Sequence, residues 1–129
     1  MAIMIGLAGC CEETVTEEKT ARSVGSGALP VYGTPCMLAL IEQASCKALE
    51  DQLEEGQTSV GTLLNVQHLA ATPVGMRVRA EAMVSAVDGR KITFSVKAFD
   101  ETGVIGGGVH ERFLVNAEKF VAKCYAKQQ

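Results

Sequence analysis

The chain has 129 residues, the size of one domain of about 100–150 residues, which leaves no room for a separate cofactor domain. Hydrophobic residues make up 47% and charged residues 21%, a composition typical of a globular protein with a buried core. The net charge of -3, the absence of Trp and the low aromatic content argue against a nucleic-acid partner. We therefore expect residues 1–129 to form a single domain that binds no nucleic acid.

The five cysteines, at positions 10, 11, 36, 46 and 124, indicate reduced thiols in a cytoplasmic protein. Their number is odd, and they form neither a Cys-x-x-Cys pair nor a Cys/His cluster with metal-ligand spacing, so we expect no metal site. Leu7-Ala8-Gly9-Cys10 resembles a lipoprotein cleavage site, but no Lys or Arg precedes it and the apolar run is short. A first β-strand is the preferred interpretation of these residues. No run approaches the ~20 apolar residues of a membrane span.

A long amphipathic helix is predicted over residues 35–54. Thr34 is a residue type that caps helices, and Pro35 suits the first turn. At 3.6 residues per turn one side is apolar, and Gly56 is expected to end the helix. The preceding residues 23–30 are small and turn-forming, which predicts a mobile loop.

From Thr58 onward the hydrophobic period changes from helical to two, which predicts four antiparallel strands. The first runs to about Pro73, with one shared face formed by Val60, Thr62, Leu64, Val66 and His68. The others cover about 76–86, 91–98 and 104–115, joined by a hairpin at Asp88-Gly89 and a polar turn at 100–103. Three glycines at 106–108 predict a bulge or a close approach of another backbone. This order predicts an α+β fold with one helix on a sheet.

Glu42 is the first candidate functional residue, because it lies at the margin of the apolar face of the helix. Its neighbours four residues before and after are Leu38 and Cys46, and no Lys or Arg is near enough in sequence to pair with it. A carboxylate in this position is expected to have a raised pKa or a partner from elsewhere in the chain. The alternative is a side chain that leans out into water.

Two histidines, a threonine and an arginine are the other candidates. His68 ends a predicted apolar face, where histidines are more often structural, although it could act as an acid, base or hydrogen-bond donor. Thr34 would matter chemically only with a base in reach, and is otherwise an ordinary helix cap. His110 and Arg112 share one face of the last strand, where Arg112 could hold an anion or a carboxylate, or both could line a solvated rim. Spacing alone indicates no more than an α+β domain.

Five segments spread along the chain nevertheless form a recognisable set. They are Gly33-Thr34-Pro35, the helix with Glu42 eight residues after Thr34, Val60-Gly61-Thr62, Val66-Gln67-His68-Leu69-Ala70-Ala71-Thr72-Pro73-Val74-Gly75 and Gly108-Val109-His110-Glu111-Arg112. Together they resemble the hotdog-fold thioesterases related to fluoroacetyl-CoA thioesterase. The resemblance runs from about residue 14 to residue 120.

The resemblance implies a hotdog fold, with an antiparallel sheet wrapped around one long central helix, and hydrolysis of an acyl-CoA thioester to free acid and CoA. It places the catalytic Thr, Glu and His on Thr34, Glu42 and His68, a backbone glycine near the thioester carbonyl on Gly61, and a site arginine on Arg112. It further implies a homodimer or dimer of dimers, with active sites near the subunit interface. No cofactor is implied, since coenzyme A is part of the substrate.

The chain departs from the fluoroacetate enzyme in the loop before the helix. That enzyme places phenylalanines there as a hydrophobic lid, whereas this chain reads Gly25-Ser26-Gly27-Ala28. Selectivity for fluoroacetyl-CoA is therefore not implied. Two other functions remain open from the sequence: another acyl-CoA enzyme on the same fold, such as a hydratase, and a non-catalytic acyl-CoA or acyl-carrier binding module.

Overall fold

A computed structural model describes residues 3–128 of the chain. These residues form one antiparallel sheet with the strand order β1-β3-β4-β5-β2 and a long helix packed on one of its faces. The strands are β1 (Ala8–Thr14), β2 (Gln57–His68), β3 (Arg77–Asp88), β4 (Lys91–Asp100) and β5 (Gly103–Asn116). The α-helices are α1 (Ala21–Val24), α2 (Thr34–Leu49) and α3 (Ala117–Tyr125). The predicted α+β architecture is confirmed.

The core lies between α2 and the sheet. Helix α2 buries Met37, Leu40, Ile41, Ala44, Ala48 and Leu49. Alternate residues of β3 and β4 face it, as the period of two predicts: Val78, Ala80, Ala82, Val84, Ile92, Phe94, Val96 and Ala98. Each large apolar side chain buried in this way contributes about 1.5–3 kcal/mol to stability. No helix within residues 3–128 is both long and apolar enough to cross a membrane.

Helix α2 is shorter than predicted. It ends at Leu49, and a 3-10 turn over Glu50–Gln52 follows, so the prediction of a helix to residue 54 is wrong. The acidic Glu50 and Asp51 lie at the negative end of the helix dipole, which disfavours further turns. The predicted loop over residues 23–30 is also partly wrong, because its first two residues belong to α1, which Gly25 ends in the left-handed conformation at φ 80°.

The predicted hairpin at Asp88-Gly89, the predicted polar turn at 100–103 and the predicted close approach at the glycines are confirmed. Asp88 pairs with Lys91 and Asp100 with Gly103, which places tight turns between β3, β4 and β5. A Cβ atom at Gly106 would meet the Gln67 carbonyl oxygen of β2 and the Met37 side chain, and one at Gly108 would meet the Asn65 carbonyl oxygen. The glycines therefore let β5 lie tightly against β2 and the helix.

Strand β2 contains one extra residue. Gly61 pairs with Arg112 of β5 and Leu63 pairs with the adjacent Glu111, so Thr62 has no partner of its own. The Thr62 hydroxyl donates to the Glu111 carbonyl oxygen at 3.2 Å. This two-against-one pairing is a β-bulge, and it reverses which side chains face the helix.

The bulge makes the predicted shared face of β2 wrong. On the side before the bulge, the odd-numbered Gly61 faces α2, and beyond it the even-numbered Val66 and His68 do. A regular strand would have placed Gly61 and His68, seven residues apart, on opposite faces. The bulge therefore brings both predicted site residues of β2 to the helix side of the sheet.

Strand β1 packs directly on the backbone of α2 at Gly9. A Cβ atom at this position would collide with the Ala44 carbonyl oxygen and the Ala48 amide nitrogen. Because both are helix backbone atoms, neither can move without disturbing α2. Gly9, which lies in the segment that resembles a lipoprotein cleavage site, therefore has a packing role in β1.

We predict that Gly9→Ala lowers the free energy of unfolding by about 1–3 kcal/mol, the usual cost of overpacking a core. Denaturant titration measures the change. Gly27→Ala is the matched control, because a Cβ atom there would meet only the Ala21 Cβ atom at 3.5 Å, an ordinary contact. Equal stability of the Gly9→Ala and Gly27→Ala variants would contradict the proposed packing.

Candidate active site

Thr34 begins α2 without capping it. The N-cap residue is Gly33, and no side chain caps the first turn, which contains Pro35. The Thr34 hydroxyl instead lies 2.8 Å from His68 Nδ1. The prediction that Thr34 could be an ordinary helix cap is therefore wrong, and the condition set for a chemical role, a base within reach, is met.

The segments that carry Thr34 and His68 are tied together just outside the site. The Tyr32 amide donates to the Thr72 carbonyl oxygen at 2.9 Å, and Val31 forms a β-bridge with Pro73. The buried Thr72 hydroxyl donates to Asp100 at 2.8 Å, which anchors this segment to the end of β4. These contacts give Thr72 and Pro73 a structural role, since they hold the start of α2 against the end of β2.

His68 is a half-buried imidazole with one free nitrogen. Burial lowers its pKa, and the backbone of Ala70 beside the ring acts in the opposite direction. Its Nε2 atom is buried and has no hydrogen-bond partner among residues 3–128. When the Thr34 hydroxyl donates to Nδ1, the neutral ring carries its hydrogen on the enclosed Nε2 atom.

A cavity of about 230 Å³ lies beside the Thr34 and His68 pair. Its wall also includes Ser26, so the loop before α2 borders the site. The remaining lining residues are Ala21, Val31, Tyr32, Leu69, Ala70 and Ala71. The lining combines polar and apolar surface in similar amounts, and the volume suits a small acyl group.

Tyr32 is a site residue that sequence reasoning missed. Its buried ring meets the His68 ring edge-on, with centroids 6.5 Å apart. Its hydroxyl donates to Glu13 at 2.6 Å, and Glu13 in turn pairs with Lys19 at 3.1 Å. Burial, with the Glu13 carboxylate beside the hydroxyl, raises the pKa of Tyr32 far above its ordinary value. The neutral Tyr32 ring is thus held in place beside His68. In the sequence, the position of Tyr32 two residues before Thr34 was the only indication of this role.

Glu42 of α2 forms an ion pair with Arg112 of β5. Glu42 Oε2 lies 3.3 Å from Arg112 Nη1, and the side chains are 39% and 7% exposed. The prediction that Glu42 finds a partner from elsewhere in the chain is confirmed, as is the prediction that Arg112 holds a carboxylate. The alternative of a solvated rim at His110 and Arg112 is wrong, because both side chains are buried.

Three further contacts hold the Arg112 guanidinium. Its Nε donates to the Ser59 hydroxyl at 2.8 Å, and its Nη2 donates to the Ser59 carbonyl oxygen at 3.1 Å. Its Nη1 lies 3.1 Å from His110 Nε2. Ser59 was not predicted; its place two residues before Gly61, on the same face of β2, is the signal that could have found it.

Gly61 lies against the Glu42 carboxylate. A Cβ atom at this position would collide with Glu42 Oε2 and would lie 3.3 Å from Arg112 Nη1. A side chain at position 61 would therefore displace the Glu42 and Arg112 pair. Glycine is required here by the close approach of the two side chains.

The five predicted residues form two clusters on the helix side of the sheet. Thr34 and His68 form one, and Glu42, Gly61 and Arg112 form the other. Eight residues of α2 separate Thr34 from Glu42, about 12 Å at 1.5 Å per residue. Within residues 3–128 no three His, Cys, Asp or Glu side chains lie close enough together to hold a metal ion.

The chain is similar to known thioesterases both in sequence and in structure. The profile of the family described as FlK, fluoroacetyl-CoA-specific thioesterase, matches residues 15–118. A fluoroacetyl-CoA thioesterase from Streptantibioticus cattleyicolor is 41% identical over 97 residues, 75% of this chain and 70% of the relative. The structure of the fluoroacetyl-CoA thioesterase FlK superposes with a TM-score of 0.92 at 34% identity, covering 98% of both chains. A thioesterase superfamily member from Thermus thermophilus gives 0.90 at 32% identity, covering 98% of this chain and 94% of that one. The fold is the predicted hotdog fold.

The two histidines predict how stability depends on pH. Burial lowers the folded-state pKa of both His68 and His110, whereas an unfolded histidine titrates near 6.5. Below about pH 6.5 the unfolded chain therefore binds more protons, so stability is fully present above that pH and is lost as the pH falls toward the folded-state values.

We expect the free energy of unfolding, measured by urea titration, to fall between pH 7 and 5.5. A variant with His68→Gln and His110→Gln should show a flatter dependence over the same range. The carboxylates with lowered pKa, such as Glu12 and Asp100, titrate at lower pH and do not contribute there. Constant stability of the unmodified protein over this range would contradict the prediction.

Proposed function

The chain belongs to the fluoroacetyl-CoA-specific thioesterase family, and we propose that Thr34, Glu42 and His68 carry out its hydrolysis of an acyl-CoA thioester. Water adds to the thioester carbonyl carbon, the bond from carbon to sulfur breaks, and a carboxylic acid and CoA leave. The observation that carries this assignment is the 2.8 Å contact of Thr34 with His68, on the face of the sheet that also presents Glu42. We propose no cofactor, since the coenzyme A belongs to the substrate.

Glu42 is the proposed general base. Its Oε2 atom is held by Arg112, and its half-exposed carboxylate keeps the other oxygen available to an incoming water. As the water oxygen attacks the carbonyl carbon, Glu42 takes the proton. It returns that proton to the sulfur when the tetrahedral intermediate collapses. Gly61 lets the Glu42 carboxylate lie directly against the backbone of β2.

His68 is the proposed donor to the thioester carbonyl. Its Nε2 atom is buried and has no partner among residues 3–128. Once a movement of the surrounding side chains opens this atom to the substrate, a hydrogen there stabilises the negative charge that develops on the carbonyl oxygen. Thr34 holds the ring by its contact with Nδ1. The same groups also serve attack by the Thr34 hydroxyl, and mass spectrometry of protein quenched during turnover separates the routes, because only that route adds an acyl mass to the chain.

We predict that Glu42→Gln lowers kcat for thiol release from acyl-CoA roughly 100-fold or more, the range of losing a general base. Glu50→Gln is the matched control, because Glu50 is an exposed carboxylate in the 3-10 turn that follows α2. Circular dichroism checks that both variants are folded. A folded Glu42→Gln protein with full activity would remove Glu42 from the mechanism.

We propose a homodimer or dimer of dimers that pairs through β2. This strand has 12 residues and forms one edge of the sheet, so its outer backbone groups are available to another strand. Leu63 and Leu64 are exposed on its two faces, and Phe113 of the neighbouring β5 is exposed beside them. Because Gly61 and His68 also lie on β2, pairing at this edge would place the proposed site close to the subunit interface.

We expect Leu63→Lys, on the face of β2 away from the candidate site, to weaken the dimer and to lower activity with it. Light scattering gives the oligomeric state, and thiol release gives the activity at the same protein concentrations. Met83→Lys is the control, because the Met83 side chain is similarly exposed but lies on β3, away from this edge. A monomeric unmodified protein with full hydrolase activity would contradict the proposed dependence on the dimer.

The acyl selectivity is proposed to be broad. Ser26 is the residue of the loop at 25–28 that borders the cavity, and this loop contains no aromatic side chain. Leu29, which follows the loop, is largely exposed. An open pocket loses contacts worth about 25 cal/mol per Å² of apolar surface.

We therefore predict similar kcat/KM for acetyl-, butyryl- and phenylacetyl-CoA, and a preference for fluoroacetyl- over acetyl-CoA of less than about 10³-fold, or ~4 kcal/mol. Ala28→Phe places a ring in this loop and should narrow the range of accepted chains. A preference above about 10³-fold in the unmodified protein would show that another group covers the acyl chain.

We also propose a cytoplasmic location. The five cysteines are all free thiols, as is usual in a reducing compartment. Measurement of free thiols in protein taken directly from cells tests this.

A further inference from the structure

His110 is a fully buried titratable residue that the proposed mechanism does not use. It lies on β5 under the Glu42 and Arg112 pair, and its ring stacks on Phe94 of β4 with centroids 6.0 Å apart and an interplanar angle of 26°. Both ring nitrogens have partners. Nδ1 lies 2.8 Å from the Leu63 carbonyl oxygen, and Nε2 lies 3.1 Å from Arg112 Nη1.

These partners fix the tautomer of His110. A carbonyl oxygen can only accept a hydrogen bond, so Nδ1 carries the hydrogen and donates it to Leu63. A guanidinium can only donate, so Nε2 must present its lone pair to Arg112. The ring is therefore neutral, and burial, which lowers the pKa of His110, keeps it so. The charged groups that act on its pKa are Arg112 and Glu111 on β5 and Glu42 on α2.

The Nε2 lone pair of His110 accepts a hydrogen bond that orients the Arg112 guanidinium. Both hydrogens of Arg112 Nη1 are used, one by Glu42 Oε2 and the other by His110 Nε2. Nη1 contacts Glu42 Oε2 and His110 Nε2 at the same time. A shift of the guanidinium away from Glu42 would therefore also break its hydrogen bond to His110. The two contacts with Ser59 hold the other side of the guanidinium, so His110 is the residue that fixes it on the side of Glu42.

We propose that His110, as the neutral tautomer with its hydrogen on Nδ1, is a positioning residue that acts through Arg112 to orient the Glu42 carboxylate. This inference rests on the proposed function of Glu42 and deepens it. His110 touches neither Thr34 nor His68 and takes no proton during the reaction. Its effect is expected on kcat, with little change in KM, because Arg112 orients the base, Glu42, rather than holding the CoA.

Two substitutions separate the two contacts of His110. In His110→Gln the amide oxygen can reach the position of Nε2 and accept from Arg112, while the donor to Leu63 is lost. In His110→Asn the amide nitrogen can reach the position of Nδ1 and donate to Leu63, while the acceptor for Arg112 is lost. Each variant therefore keeps one contact and removes the other, and thermal unfolding records the stability that each has lost.

We expect His110→Asn to lower kcat roughly 10-fold or more, the range for a lost buried hydrogen bond to a charged group, and His110→Gln to retain most of it. In an Arg112→Lys background, His110→Asn should lower kcat no further, because its effect passes through the guanidinium. Unchanged kcat in His110→Asn, or an equal and independent loss in the Arg112→Lys background, would overturn the proposal.

The tautomer gives a readout that does not depend on activity. Nitrogen NMR of the unmodified protein labelled at histidine should show His110 neutral at pH 7, with hydrogen on Nδ1 and not on Nε2. A hydrogen on Nε2, or a charged ring, would overturn the proposal even if every variant failed to fold. If the unmodified protein released no thiol from acyl-CoA while the NMR result held, the proposed function would fail and the geometry of His110 would stand.

Discussion

Thr62 adds one residue to β2 without a partner on β5, and the side-chain parity of the strand reverses at that point. The geometry of the candidate site depends on this reversal, because Gly61 and His68 lie seven residues apart and would otherwise face opposite sides of the sheet. With the bulge, Gly61 meets Glu42 in the middle of α2, and His68 meets Thr34 at its start. Deleting the extra residue would turn one of the two clusters away from the helix. Bulges near active sites commonly re-aim a side chain in this way.

The Arg112 guanidinium shows how the chain accommodates a buried charge. A buried ion left without a partner is strongly destabilising, by about 3–5 kcal/mol. Here the side chain is almost fully enclosed, and its donors are divided among Ser59, His110 and Glu42. Glu42 is much more exposed than its partner, so water screens the pair and its contribution to stability is small. The pair therefore serves to orient the Glu42 carboxylate. The hydrogen bonds with Ser59 and His110 replace those with water that the Arg112 guanidinium loses on burial.

The helix, the hairpins and the buried faces of β3 and β4 could be predicted because each rests on a local pattern: the hydrophobic period or the turn residues at positions 88–89. The errors concern features that distant contacts decide. The bulge at Thr62 depends on pairing with β5, and the Thr34 hydroxyl leaves its cap position because His68, 34 residues away, offers a nitrogen. The Glu42 partner is 70 residues away, and spacing could establish only that none was local. Tyr32 and Ser59 were missed for the same reason, while the family resemblance selected Thr34, Glu42 and His68 together.

The contacts that position Thr34 and His68 do not involve the loop at 25–28, which borders the cavity. The start of α2 is tied to the end of β2 through Thr72 and Asp100, and Tyr32 is tied to β1 through Glu13, so the Thr34 and His68 pair rests on contacts with three strands. The loop at 25–28 shares none of these contacts. A Cβ atom at Gly27 would meet only the Ala21 Cβ atom, at the ordinary contact distance of 3.5 Å. A side chain at position 27 can therefore be added without moving Thr34 or His68. Because the contact of Thr34 with His68 and the border of the cavity rest on different residues, a substitution at position 27 can change the cavity and leave the candidate site in place.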